Sequence, residues 1–266
     1  MTSLKSATYR REMQRVAYIA ARILTRFEVT GELAPHDGPR IFAANHIGSF
    51  DTFALLATFH KMGVTPRIMA GERFFTGRLG KYPRRADYLP VPSTEDPQRR
   101  ISAFYCTVTA LQDGDDVAIF PEGRISLDPE LWPEKPYTGV GRLAPAVTKG
   151  GGRTPEIVPV TQWGAQNVFP VPNSKATHPR SKVRWLGRAA YNIARRPRVR
   201  VHVGPSMNKE VTSGQLSPRQ SANQVMEHIT GELVRMRHGE PAIPCGADRR
   251  KRTDPSRRLI THPRGR

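Results

Sequence analysis

The stretch "IFAANHIGSFDTF", residues 41–53, joins an apolar run to an imidazole and a carboxylate. The run from Ile41 to Ala44 predicts a short buried strand, and the residues after it predict a helix over Asp51–Met62. If His46 lies at the carboxyl end of the strand and Asp51 in the first helical turn, the chain between them folds back and the two side chains meet. A carboxylate on one imidazole nitrogen fixes the tautomer, so that the other nitrogen can accept a proton near neutral pH.

The spacing His-x-x-x-x-Asp is weak evidence by itself, because eight histidines in a chain of 266 residues can produce it by chance. A second stretch, "VAIFPEGRIS" at residues 117–126, strengthens the interpretation. Its apolar strand ends on Pro121, and ligand sites collect at strand ends in α/β sheets. Gly123 lets a ligand approach the backbone, Glu122 can accept from a hydroxyl or hold a neighbouring base, and Arg124 offers a fork for phosphate.

A third stretch, "EIVPVTQWG", predicts a strand over Ile157–Val160 that leads to Trp163. It is either a plain core strand or the support of an apolar wall formed by Trp163.

Short apolar runs alternate with helical patterns along most of the chain, which predicts a single α/β domain with a mixed central sheet flanked by helices. The strand of the first stretch is predicted over Arg40–Ala44, and the other predicted strands are Arg67–Ala70 and Val117–Phe120. The remaining predicted helices are Arg99–Gln112, Val140–Lys149 and Pro218–Arg237. The period-two stretch "RVRVHVG" predicts a half-exposed edge strand, and the Pro-rich residues 169–184 predict a long surface loop beside a substrate groove.

The residues from Tyr9 to Phe27 predict an amphipathic, arginine-rich helix. Its apolar positions are Tyr9, Met13, Val16, Ala17, Ala20, Ile23, Leu24 and Phe27, and arginines occupy much of the remainder. This stripe either packs on the core of the domain or rests on a membrane surface. We therefore expect three regions: a membrane-docking helix over 1–30, a catalytic domain over 31–238, and a basic, disordered tail over 239–266.

The chain carries 42 Lys and Arg against 23 Asp and Glu, a net charge of +19, which predicts attraction to a polyanion. Its two cysteines are far apart, so neither a disulfide framework nor a structural zinc site is expected, and a reducing cytoplasm fits best. No apolar run reaches the roughly 20 residues that cross a bilayer, and a signal peptide is not expected. If the protein meets a membrane, we expect it to do so from the surface.

The three strand ends resemble those of the PlsC-type 1-acylglycerol-3-phosphate (lysophosphatidic acid) acyltransferases, within the wider glycerolipid acyltransferases. The resemblance covers roughly Ile41 to Gly204, with the blocks in the family's order. The matching blocks are Asn45-His46 with Asp51, Phe120-Pro121-Glu122-Gly123 with Ser126, and Ile157-Val158-Pro159-Val160.

The resemblance implies transfer of a fatty acyl group from acyl-CoA or acyl-carrier protein to a lipid hydroxyl, with no metal and no cofactor besides this co-substrate. By the same resemblance, His46 is the general base, Asp51 orients it, and Glu122 and Gly123 belong to the acceptor-binding turn. Asn45, Arg124 and Ser126 complete that expected substrate-binding set. Direct attack by the acceptor is chemically sensible because a thioester is an activated donor and the chain has no GxSxG elbow. Backbone N–H groups near Gly48 or Gly123 are candidates for holding the oxyanion.

The sequence departs from the family where the stretch "DYLPVPST" places Ser93 at the position of the usual phosphate-binding arginine. Arg84 and Arg85, or Arg99 and Arg100, either replace the missing charge or are ordinary surface residues. In the third block the arginine is shifted by one residue, to Arg124, a variant compatible with the family.

The sequence thus predicts a peripheral enzyme on the cytoplasmic face of the plasma membrane that converts lysophosphatidic acid to phosphatidic acid. The partners expected are an anionic membrane surface, acyl-CoA or acyl-carrier protein, and a lysophospholipid or glycerol-3-phosphate acceptor; a glycolipid acceptor remains open. A basic nucleic-acid-binding module is the alternative from another class, but the tail lacks the aromatic residues that stack on bases, so no nucleic-acid partner is expected.

Overall fold

The computed structural model describes residues 2–92, 96–128, 130–169 and 179–238, apart from the side chains of residues 2, 3, 179–182 and 184. The predicted basic tail over 239–266 and Ser93 lie outside these residues. Most of the predicted 169–184 loop does so as well.

The fold is built on one seven-stranded sheet in the order β1-β7-β6-β2-β5-β3-β4. The strands are β1 Arg26–Thr30, β2 Arg40–Ala44, β3 Arg67–Gly71, β4 Leu89–Val91, β5 Val117–Ile119, β6 Glu156–Trp163 and β7 Arg198–Val203. β7 is parallel to β1 and antiparallel to β6, while β6, β2, β5, β3 and β4 all run the same way. The sheet is therefore mixed, as the sequence predicts.

Eight α-helices surround the sheet within the described residues. They are α1 Thr2–Leu24, α2 Asp51–Met62, α3 Lys81–Arg85, α4 Pro97–Gln112, α5 Gly139–Lys149, α6 Pro179–Ala194, α7 Lys209–Ser213 and α8 Pro218–Arg237. Local chemistry sets several of their ends. Ser217 and Gln220 form a reciprocal capping box at the start of α8, and the left-handed Gly63 ends α2.

The core lies on both faces of the sheet, which explains the near-continuous apolar runs of the central strands. On one face, Phe42 and Ala44 of β2 pack with apolar residues of α1 and α2. On the other, Ile41 and Ala43 pack with those of α4, α5 and α8. Because β2 lies between β5 and β6 and runs parallel to both, the carboxyl ends of these three strands meet at one edge.

The apolar stripe predicted for the first helix is divided between two environments. Ala17 and Ala21 are buried in the core, whereas Val16 and Ile23 are exposed on the outer side. Arg10, predicted to lie among the polar remainder, is buried and donates to the carbonyl oxygens of neighbouring segments and to a carboxylate, because packing on the sheet encloses it. No helix within the described residues has the length and apolarity to cross a membrane.

Three other sequence predictions need correction. β7 is not an edge strand, because β1 pairs with its outer side, and Phe27 belongs to β1 rather than to the first helix. Residues 179–184, predicted as loop, form the start of α6. The short elements β4, α3 and α7 lack a clear periodic pattern and were not predicted.

Candidate active site

The His46 and Asp51 side chains meet as the spacing predicts. His46 Nδ1 lies 2.7 Å from Asp51 Oδ2, and the Asp51 side chain is fully buried at the start of α2. The same oxygen accepts from the backbone N–H groups of Ile47 and Gly48. The loop between strand and helix is thus folded around one carboxylate oxygen, which fixes the position of the imidazole.

The imidazole is held on a second side by an aromatic ring. The His46 ring stacks on Phe120, with centroids 4.3 Å apart and planes at 22°. Because Asp51 occupies Nδ1, the neutral ring carries its proton there and Nε2 is the basic nitrogen. Nε2 has no hydrogen-bond partner among the described residues, and 19% of the side chain is exposed. This geometry leaves Nε2 free to accept a proton from a bound hydroxyl.

Glu122 joins the second stretch to the first. One of its carboxyl oxygens accepts from the backbone N–H of His46 at 2.8 Å, and the other accepts from that of Glu134 at 2.9 Å. Ser126 N–H donates to His46 C=O at 2.7 Å. Burial raises the pKa of Glu122 to about 8, against the opposing effect of the two N–H bonds. The His46–Asp51 pair and the turn of Phe120-Pro121-Glu122-Gly123 therefore lie in direct contact.

The other side chains predicted to bind substrate are mostly occupied within the protein. Asn45 is fully buried and exchanges hydrogen bonds with the backbone of Gln162 at 2.7 and 3.0 Å. Ser126 is buried and donates to Trp132 C=O. With Glu122, these side chains present no surface to a ligand in this structure, so we assign them the positioning of the strand ends rather than direct contact.

Arg124 is engaged in an ion pair. Its guanidinium forms two hydrogen bonds, of 3.1 and 3.2 Å, with the buried carboxylate of Glu134. A phosphate would have to share this guanidinium with Glu134. Its proposed binding of substrate is thus constrained, although 36% of its side chain remains exposed.

The backbone at the two glycines does not match the expected oxyanion site. Gly48 N–H donates to Asp51, and Gly123 N–H donates to Phe120 C=O. Gly123 has φ +69°, and a Cβ there would lie 2.7 Å from the Tyr137 ring, so the turn requires glycine. Both N–H groups are used within the turns, and neither is available to an oxyanion in this structure.

Arg84 and Arg85 are exposed at the end of α3, where Arg84 donates to Phe75 C=O. Arg99 pairs with Glu72 on the surface. Across the described part of the chain, no three His, Cys, Asp or Glu side chains are grouped so that they could hold a metal ion.

The sequence did not indicate the contact of Arg237 with Trp132 and Trp163, which we call the Arg237 clamp. The Arg237 guanidinium, from the last residue of α8, lies 3.9 Å from the Trp132 ring centroid and 4.4 Å from that of Trp163. Trp163, the candidate for an apolar wall, is 2% exposed and belongs to this clamp. The three residues are distant in sequence, so no local pattern indicates their contact.

An aromatic wall leads from the start of α2 to α6. Phe50, which directly precedes Asp51, packs edge-on against Phe169 at 5.5 Å, and Phe169 stacks with Trp185 of α6 at 6.3 Å. Phe53 stacks on Phe50 and is 47% exposed. The sequence indicated none of these contacts, and the contact of Phe169 with Trp185 depends on α6, which was not predicted.

Comparison with known proteins identifies similar acyltransferases. A family model described as acyltransferase matches residues 26–163, more than half of the 266-residue chain. The solved 1-acyl-sn-glycerophosphate (LPA) acyltransferase PlsC from Thermotoga maritima matches with a TM-score of 0.56 at 18% sequence identity. The match covers 84% of this chain and 79% of that one, and it shows a shared fold. A search among curated proteins finds no match. The resemblance drawn from the sequence is thereby confirmed, and the chain belongs to the acyltransferase family.

Proposed function

We propose that this enzyme transfers a fatty acyl group from an acyl-CoA or acyl-carrier-protein thioester to the hydroxyl of 1-acylglycerol-3-phosphate, giving phosphatidic acid. The observation that carries the proposal is the 2.7 Å bond between His46 Nδ1 and Asp51, which leaves Nε2 available to a substrate. The acceptor assignment is supported by the likeness to a protein that is named as an LPA acyltransferase.

In the proposed reaction, His46 Nε2 takes the proton of the acceptor hydroxyl as its oxygen attacks the thioester carbonyl. The buried Asp51 carboxylate stabilises the imidazolium that results. Collapse of the tetrahedral intermediate breaks the C–S bond and leaves an ester. The departing thiolate takes the proton from His46, which restores the neutral ring, so no further co-reactant is required.

The acceptor can also be glycerol-3-phosphate, another lysophospholipid or a glycolipid. Ser93 stands where the resembling family carries its phosphate-binding arginine, and Arg124 is already paired with Glu134. Both observations weaken the phosphate site and keep an uncharged acceptor as the second candidate.

We propose that the enzyme works as a peripheral protein on an anionic membrane, at the cytoplasmic face of the plasma membrane. The outer side of α1 supports this proposal: Val16, Ile19 and Ile23 are exposed there, close to Arg15 and Arg22. Each basic side chain near an anionic leaflet contributes about 1 kcal/mol of attraction.

The test is release of free thiol from palmitoyl-CoA in the presence of each acceptor. We expect the highest rate with lysophosphatidic acid and a loss of at least about a hundredfold in kcat for His46→Ala. His36→Gln is the matched control, since His36 is half-buried and its Nδ1 lies 3.3 Å from a carboxylate oxygen of Glu156, outside the site. Full turnover by His46→Ala would refute the mechanism. A highest rate with an uncharged acceptor would replace the lysophosphatidate assignment.

A further inference from the structure

Helix α6 presents two kinds of side chain to solvent. Val183 and Leu186 are 68% and 60% exposed, and Ala190 is exposed one turn further on. They recur at i, i+3 and i+7, so they form one apolar stripe on the outside of the helix. A contiguous exposed stripe of this kind marks an interaction surface rather than a random apolar residue.

The charge of this segment has one sign. Residues 179–196 contain six Lys and Arg and no Asp or Glu. Arg188 and Arg195 are exposed. A helix with an apolar stripe and a basic polar side is typical of segments that lie in the headgroup region of an anionic bilayer.

The opposite side of α6 is attached to the enzyme. Ala189 is buried, and Trp185 stacks on Phe169, which contacts Phe50 beside the catalytic carboxylate. The helix is therefore linked to the site through the aromatic wall, and its outer stripe is not the face that packs on the domain.

The end of α6 also meets the end of α1. The Arg196 guanidinium donates to the carbonyl oxygens of Arg22 and Thr25, and Arg26 Nε donates to Arg196 C=O. Exposed apolar residues of α1, Ile19 and Ile23, lie in the helical turns next to this junction. Two helices with exposed apolar residues and basic charge thus share one corner of the molecule.

We propose that α6 is a second membrane-docking helix, which seats Val183, Leu186 and Ala190 in an anionic bilayer and so brings the aromatic wall next to the lipid acceptor. The docking deepens the proposed function, because it names the source from which the acceptor reaches His46. The partner is a lipid surface, since the charged residues in the sequence from 179 to 196 are all basic and anionic headgroups complement them.

The decisive experiment compares two double variants of the full chain. Val183→Asp with Leu186→Asp introduces two charges into the stripe. Ile101→Asp with Val234→Asp, on α4 and α8, makes the same change in net charge at positions that are 48% and 45% exposed. Sedimentation with vesicles of phosphatidylcholine containing about 30% phosphatidylglycerol measures the partition of each protein. Thermal unfolding checks that both variants are folded.

We expect the control to bind these vesicles like the unmodified protein and the α6 variant to lose about tenfold or more in partition. Binding should weaken in about 0.5 M NaCl and on pure phosphatidylcholine. Equal binding by both double variants would overturn the proposal. So would a change from dimer to monomer in the α6 variant with vesicle binding retained, because the stripe would then be an interface between copies.

Tryptophan fluorescence gives a second measurement at the helix itself. Of the three tryptophans, Trp132 and Trp163 are buried, whereas Trp185 is half-buried on α6. Vesicle binding should shift the emission to shorter wavelength, and Trp185→Phe should remove the shift without removing binding. An unchanged shift in Trp185→Phe would place the lipid contact elsewhere.

The vesicles in both measurements contain no thioester and no acceptor, so docking is tested without turnover. If the proposed acyl transfer fails and docking succeeds, the unmodified protein binds vesicles but releases no thiol. If docking through α6 fails and acyl transfer succeeds, the α6 variant matches its control on vesicle-embedded acceptor. We expect instead that it turns over detergent-dispersed acceptor normally and loses rate only on vesicles.

Discussion

At the scale of single residues, the geometry of the candidate site depends on the several hydrogen bonds that one oxygen of the Asp51 carboxylate accepts. Asp51 Oδ2 accepts from His46 Nδ1 and from two backbone N–H groups, inside a fully buried environment. Hydrogen bonds to an ionised group are the stronger ones, so the imidazole has one orientation and one tautomer. In the proposed mechanism, the reactivity of His46 therefore depends on the charge of Asp51 as well as on its position.

Asp51→Asn tests that dependence. The amide oxygen can still accept from Gly48 N–H, but the charge that stabilises an imidazolium is lost. We expect kcat to fall by roughly 10² to 10⁴ while KM for the thioester changes little. Steady-state thiol release measures both constants. Unchanged kcat in this variant would mean that His46 does not become charged during the reaction.

The buried Glu122 predicts a pH dependence of stability. Its pKa is raised from the ordinary 4.5 to about 8 by burial, so folding takes up a proton between these values. The contribution of the neutral acid is complete below about pH 4.5 and is lost as the pH rises through about 8. We expect the urea midpoint to fall between pH 6 and about 9 more steeply in the unmodified protein than in Glu122→Gln, which cannot titrate. Parallel pH profiles of the two proteins would show that Glu122 is already ionised throughout.

At the scale of elements, the loop between β2 and α2 is packed backbone to backbone against the segment after β6. A Cβ on Gly48 would lie 2.7 Å from Gln166 Cα, which neither chain can avoid by rotating a side chain. We expect Gly48→Ala to lower the free energy of unfolding by about 1–3 kcal/mol and to reduce activity, because the loop also carries His46.

Gly231→Ala in α8 is the matched control. Apart from its chain neighbours and the helix's own backbone, no atom lies within 4 Å of a Cβ at that position, and the residue is exposed in a helix interior. Alanine there should raise stability by about 0.5–1 kcal/mol. Urea denaturation measures both variants, and a stabilised Gly48→Ala would show that the two segments can separate at little cost.

Elements with a strong local signal were predicted well from sequence. α2 and α8 have the predicted bounds. In each, the apolar period agrees with a local signal at an end of the helix: Asp51 and Gly63 for α2, and Ser217 with Pro218 for α8. β1 and β7 were misjudged because pairing is a tertiary property: the alternation of β7 shows one open face but does not show that β1 covers its edge. The Pro-rich stretch predicted as a loop includes the start of α6, whose exposed apolar side chains Val183 and Leu186 do not pack on the core.

In the candidate site, too, some features follow from the local sequence and others depend on the tertiary fold. The proximity of His46, Asp51 and Glu122 follows from parallel strands that end at one edge. The roles of Asn45 and Ser126 do not follow, because burial decides them and burial depends on the whole fold. Polar residues at a strand end therefore predicted the place of the site better than they predicted which atoms face a ligand.

At the scale of the whole molecule, α8 supports the candidate site from outside the matched acyltransferase region. Arg237 is enclosed by Trp132 and Trp163, and its guanidinium donates to Glu130 C=O at 3.1 Å. The segment it holds continues to Glu134, whose N–H binds the same carboxylate that binds His46 N–H. A chain of contacts thus runs from the last turn of α8 to the backbone of His46, the proposed general base.

Arg237→Met keeps much of the apolar volume of the side chain but removes the cation between the two indole rings and the hydrogen bond. We expect a loss of about 2–4 kcal/mol in the free energy of unfolding and a severalfold fall in kcat, because the segment from Glu130 to Glu134 loosens.

Arg235→Met is the control: Arg235 lies in the same last turns of α8, and its side chain is 71% exposed beside Glu232. That change should cost less than about 1 kcal/mol and leave kcat unchanged. Urea denaturation and thiol release measure both effects, and equal stability of the two variants would mean that the rings hold the segment without the cation. The larger effect at Arg237 is expected because its charge is desolvated between two rings that belong to different parts of the chain, so removing it loosens α8, β6 and the site loop together.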